Sequence, residues 1–199
     1  MSKNSLELSD LPGEMQQNQQ QNQLQIRQKY IALIPAAGVG ARMATKLPKQ
    51  YLDLAGKTVL QRTVDCFLAS PQIDHVFVVV NADDAYIDTA LVAHKNLTVL
   101  NCGGATRRDT VQNGLQVIRK FSHYQDHDQV LVHDAARPGL TPALVCKLID
   151  AVADDVNGGL LALPVVDTVK RSIGGRIETV DRKDLWFAQT PQMFGLGLL

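Results

Sequence analysis

The sequence predicts an α/β domain: a Rossmann-like, mostly parallel sheet flanked by helices, with a protruding β-arm. Short apolar runs recur along the chain, "YIALI", "HVFVVV", "LTVLN", "QVLVH" and "GLLALP". Each is apolar on successive positions, as in strands buried on both faces. Amphipathic stretches of helical period lie between them, and strands alternating with helices imply right-handed βαβ crossovers. A polar, alternating segment around "GG" at 174–175 reads as a β-hairpin.

The 199 residues suit one domain with an appendage. Residues 1–28 include "MQQNQQQNQLQIRQ", which has too few apolar side chains to pack and no lasting heptad. They read as a disordered Gln/Asn-rich tail, ahead of a domain spanning 29–199. Twenty basic and 20 acidic residues give zero net charge. That argues against a general nucleic-acid or membrane binder, so any anion site must be a local patch. Cys66, Cys102 and Cys146 match no zinc or disulfide spacing, which favours a reducing cytoplasm. No apolar run reaches transmembrane length, and the N-terminus has no apolar signal core.

The helices are legible from their faces. "TVLQRTVDCFLAS" places Val59, Leu60, Val64, Phe67 and Leu68 on one side. "RRDTVQNGLQVIRKF" does so with Val111, Leu115, Ile118 and Phe121, and "TPALVCKLIDAVADD" with Leu144, Val145, Leu148, Ile149 and Val152. In such sheets ligands sit at the carboxyl ends of the strands, so the informative residues follow each apolar run.

After the first run comes "PAAGVGARMATKLPKQ", residues 35–50, with small residues and three cations but no carboxylate. Small residues let backbone N–H groups approach an anion. The segment is not a Walker A loop. Gly38 and Gly40 fit only part of a dinucleotide fingerprint, because Met43 stands where its last glycine belongs. Arg42, Lys46 and Lys49 favour an anion site over a plain turn. After the third run, "CGGATRRDTV" ends the strand with Gly103 and Gly104 and opens a helix near Asp109 and Thr110. Arg107 and Arg108 there oppose the helix dipole unless an anion binds. After the fourth run, "HDAARP" offers Asp134 for a metal or a ribose hydroxyl and Arg137 for a second phosphate. His133 reads as a satisfied structural residue rather than a catalyst. After the fifth, residues 165–183 form the arm, carrying Asp167, Lys170, Arg171, Arg176, Arg182 and Lys183. A polar hairpin seldom folds alone, and it reads as reaching over a partner subunit.

Six segments in order, "PAAGVGARM", "LPKQYLDLAGKTVL", "GGATRRDTV", "VHDAARP", "PVVDTVKR" and "TVDRKDLWFAQTPQMF", run from about residue 30 to the end. Together the chain resembles the 2-C-methyl-D-erythritol 4-phosphate cytidylyltransferases. The resemblance implies a magnesium-dependent reaction of CTP with methylerythritol 4-phosphate, in non-mevalonate isoprenoid synthesis, that releases pyrophosphate. It implies catalytic roles for Arg42, Lys49 and Arg182. Nucleotide contacts would come from Pro35, Ala36, Ala37, Gly38, Gly104, Arg107, Thr110, Asp134 and Ala135. Arg137, Thr168 and Arg182 would hold the acceptor, the last two from the arm of the other subunit of a homodimer. Asp134 would also face the Mg2+. The implied compartment is the bacterial cytoplasm, or a plastid in a eukaryote.

Thr110 stands where the family commonly has serine, and Gly195 where a basic residue is usual. The resemblance further implies that "FGLGLL" lies inside a helix and that a T-D-[DE]-[AS] segment and an N-x-K-[VI]-T strand follow, so the sequence reads as a C-terminally truncated chain. A ribitol 5-phosphate cytidylyltransferase is the alternative within the class. A non-catalytic nucleotide-binding or interaction fragment is the alternative outside it.

Overall fold

In the computed structural model the described residues are 27–38 and 47–198. The tail through residue 26, and Gly40, Arg42, Met43 and Lys46 of the first loop, lie outside them.

The order is β1 (Tyr30–Pro35), β2 (Asp53–Leu54), β3 (Lys57–Thr58), α1 (Val59–Leu68), β4 (His75–Val79), α2 (Ile87–Ala90) and β5 (Leu97–Leu100). Then come α3 (Arg107–Ile118), β6 (Gln129–Val132), α4 (Pro142–Val152), β7 (Gly159–Pro164), β8 (Val169–Ile173), β9 (Arg176–Val180) and β10 (Trp186–Gly195). One six-stranded sheet runs β5-β4-β1-β6-β10-β7. Its first four strands are parallel, and β10 is antiparallel to both neighbours.

The apolar runs build this sheet because alternate side chains meet opposite layers. On β1, Ala32 and Ile34 pack with Leu60, Val64 and Phe67 of α1 and Val145, Leu148 and Ile149 of α4. Ile31 and Leu33 pack instead with Leu115 and Ile118 of α3 and Phe77 and Val79 of β4. Each large apolar side chain so buried contributes about 1.5–3 kcal/mol. The helices start where the sequence supplies caps. Thr58 accepts from the Gln61 N–H, Thr141 from that of Leu144, and Thr106 with Asp109 closes a capping box on α3.

Three expectations need correction. "GLLALP" is not buried on both faces: β7 lies at the sheet edge, with Leu160 and Leu163 exposed. Residues 194–198 of "FGLGLL" lie in no α-helix: β10 runs through Gly195, and Leu196–Leu198 form a 3-10 turn. The expected helix faces lose two members: Leu144 points outward on α4, and Phe121 lies beyond the end of α3, where it is exposed.

The hairpin is present. β8 and β9 pair through Gly174 and Gly175, whose φ values of +55° and +80° suit a primed turn. It forms its own two-stranded sheet, with Ile173 and Ile177 exposed.

Candidate active site

The carboxyl ends of β1, β4, β5 and β6 surround a cleft of about 1150 Å³. β1 delivers Pro35, Ala36, Ala37 and Gly38, and a 3-10 turn at Lys49–Tyr51 brings Lys49 to the same wall. Gly104, Arg107 and Thr110 come from the β5–α3 turn, and Asp134, Ala135 and Arg137 from the segment after β6. Those eleven residues were all singled out from the sequence, and folding brings them together. Thr168 and Arg182 are not among the lining residues. They sit on the exposed arm, where the Arg182 guanidinium donates to the Val166 carbonyl.

Charge at the cleft is organised around Asp134. Its Oδ1 accepts from Arg107 Nε at 2.7 Å, and its Oδ2 forms an ion pair with the Arg137 guanidinium, 2.9 Å from Nε. The Nη1 of Arg137 also donates to Gln189 Oε1 on β10, at 2.9 Å. One carboxylate therefore ties the start of α3 to the loop after β6. It holds both cations at the mouth without cancelling their joint excess of positive charge. Thr110 is buried, and its hydroxyl accepts from the Gly104 N–H at 3.1 Å and donates to the Thr106 carbonyl at 2.9 Å. It shapes the glycine turn from within.

His133 is 1% exposed, with both ring nitrogens engaged. Burial pushes its imidazole below the ordinary range. It is the satisfied structural residue that its position implied.

The sequence reading assigned no role to Gln50 or Asn81, which also line the cleft. Both are neutral carboxamides that bond to backbone, and neither belongs to a charge pattern. Among the described residues no group of three or more His, Cys, Asp or Glu side chains could hold a metal ion. A second cavity, about 860 Å³, opens between α4 and β7. Leucines such as Leu140, Leu148 and Leu161 form much of its wall, so it offers less charge than the cleft.

A family model described as IspD, 2-C-methyl-D-erythritol 4-phosphate cytidylyltransferase, matches residues 30–199. A protein of that name from Ralstonia nicotianae is 50% identical over 184 residues, covering 86% of this chain and 71% of the relative. Another from Nitrosomonas eutropha is 46% identical over 179 residues, covering 86% and 75%. Among solved structures, a 4-diphosphocytidyl-2C-methyl-D-erythritol synthase superposes with a TM-score of 0.75 at 39% identity, covering 87% of this chain and 78% of the other. The Francisella tularensis 2-C-methyl-D-erythritol 4-phosphate cytidylyltransferase gives 0.68 at 35% identity, covering 85% and 73%.

Proposed function

The chain belongs to the 2-C-methyl-D-erythritol 4-phosphate cytidylyltransferase family, and on that premise we propose that it joins CTP to 2-C-methyl-D-erythritol 4-phosphate, releasing pyrophosphate. The observation that carries this reading is the convergence of backbone amides and the cations Lys49, Arg107 and Arg137 on one cleft. Such a site is built for a polyanion.

The acceptor phosphate is already ionised, so attack on the α-phosphorus of CTP needs no strong base. The new P–O bond forms as the bond to the β-phosphate oxygen breaks, and the electron pair leaves with pyrophosphate. What the protein supplies is alignment and positive charge where negative charge grows. Lys49 stands beside the β1 loop, placed for the triphosphate, and Arg42 of that loop is assigned the same task. Arg107 and Arg137 stand across the cleft, where Arg137 faces the acceptor. The glycines at 103 and 104 let their turn pack closely against Ala37, Asn81 and Asp109, and the wall this turn forms is the one we assign to the base.

Asp134 is the one carboxylate among the described residues lining the cleft. Its two oxygens face Arg107 and Arg137, so to hold an Mg2+ ion brought by the triphosphate it would have to release one of these arginines. That ion would offset phosphate charge when bound. We place Thr168 and Arg182 in the site of a partner subunit, which the exposed arm reaches across a two-fold axis. A reducing, cytoplasmic setting fits three free cysteines. No helix among the described residues is long and apolar enough to cross a membrane.

The test is pyrophosphate release from CTP with methylerythritol 4-phosphate and, separately, ribitol 5-phosphate. Release with the first acceptor supports the proposal, whereas release with ribitol 5-phosphate alone would transfer it to the other cytidylyltransferase.

A further inference from the structure

Three consecutive carbonyls of the β1 loop are held by two side chains from different parts of the chain. Gln50, 3% exposed, donates from Nε2 to the Ala36 oxygen at 2.8 Å and to the Gly38 oxygen at 2.9 Å. Asn81, just past β4, donates from Nδ2 to the Ala37 oxygen at 2.9 Å. The N–H of Ala36 is bound as well, to the Val79 carbonyl at 2.7 Å. Among the described residues, no partner takes the N–H of Ala37 or of Gly38.

A trans peptide plane carries its C=O and the next N–H on opposite sides. Holding the Ala36 carbonyl therefore aims the Ala37 N–H the other way, and holding the Ala37 carbonyl does the same for the Gly38 N–H. We propose that Gln50 and Asn81 are positioning residues that occupy the loop carbonyls and so leave the amides of Ala37 and Gly38 to the triphosphate. The proposal rests on the nucleotide reading above.

The residue types fit this task. A carboxamide NH2 can only donate, so it selects carbonyls, whereas a carboxylate would repel them. Gln50 adjoins Lys49, so the same bonds tie the cation to the amides as one unit. Space for the Asn81 side chain depends on Gly103. A Cβ there would come within 2.6 Å of Asn81 Oδ1 and 2.5 Å of Ala37 Cβ. At Gly38 a Cβ would meet nothing within 4 Å among the described residues.

Tripolyphosphate, CTP and cytidine serve as probes, on the full chain and on Gln50→Met and Asn81→Leu. Both substitutions are neutral and near-isosteric, and both remove the donor. In the parent chain, tripolyphosphate should shift the backbone amide resonances of Ala37 and Gly38. Each variant should lose about tenfold or more in affinity for tripolyphosphate and CTP, as charge-assisted amide bonds are lost, while cytidine binding holds. Equal loss for cytidine would make the two side chains ordinary structural supports and overturn the proposal. Unchanged CTP affinity in a folded variant would overturn it too. Should a variant fail to fold, the parent titration still decides: CTP binding with unmoved Ala37 and Gly38 amides refutes the positioning role. If the parent binds neither CTP nor tripolyphosphate, the nucleotide reading falls, and this one with it.

Discussion

The Nε2 of His133 donates to the backbone carbonyl of Arg137 at 3.0 Å. A carbonyl can only accept, so the proton sits on Nε2, and Nδ1 accepts from the Thr190 hydroxyl at 2.9 Å. A neutral, buried imidazole thus pins the turn that carries Asp134 and Arg137 to strand β10.

This pairing sets a pH dependence. Phe67 meets the ring edge-on at 5.5 Å, and the nearby charges are Asp134 and Arg137. Burial is the main cause of its lowered pKa, whose ordinary value is 6.5. Below that value the unfolded chain takes up protons that the folded chain resists. Stability is therefore complete above pH 6.5 and is lost as pH falls through the folded value. His75 is lowered by burial as well and adds to the same slope. Urea unfolding from about pH 8 to about pH 5 should show the loss, and His133→Gln should flatten part of it. A slope unchanged in that variant would assign the loss to other groups.

Lys49→Ala should depress turnover far more than CTP affinity. A cation acting on charge that develops during phosphoryl transfer contributes about 10²–10³ in rate. Steady-state kinetics separate the cases, because a normal kcat with a raised KM would mean that Lys49 binds only the ground state.

Asp134→Asn should hardly change stability, since both its arginine partners are about half exposed. Such pairs contribute less than about 1 kcal/mol. Activity should nonetheless fall by roughly tenfold or more, because two guanidinium groups lose their common anchor. Chemical unfolding alongside initial rates checks both halves. A large stability loss would mean that the carboxylate is chiefly structural.

The arm can be tested by complementation. Lys49→Ala and Arg182→Ala chains, each inactive alone, are unfolded together and refolded. In a two-fold dimer with shared sites, half the dimers are mixed and roughly a quarter of all sites recover. If each hairpin serves its own chain, the mixture stays inactive and the shared-site arrangement is wrong.

The parts of the fold legible in the sequence were those with unbroken patterns. β1, β4 and β6 are continuous apolar runs, and α1, α3 and α4 keep helical period. β10 was hidden because "AQTPQ" is polar, contains Pro191 and carries the register shift between Ala188 and Gln192. The expected end helix failed for the same reason, since strand geometry extends through Gly195. At the cleft, charged residues and glycines after strands stood out by type. Gln50 and Asn81 did not, because their role is to bind backbone, and Asn81 reaches Ala37 across 44 positions. Arg42 lies outside the described residues, so its expected role rests on family resemblance.

The outer margin of β7 has a practical consequence in concentrated solution. Among the described residues β7 ends the sheet order, and Leu160 and Leu163 are 41% and 59% exposed. An open strand margin beside greasy side chains is a template on which a foreign strand can lay down hydrogen bonds. Self-association should therefore grow steeply with protein concentration and begin at this seam. Light scattering of Leu163→Lys against the parent chain would locate it, because a charge on an edge strand discourages such pairing without touching the cleft.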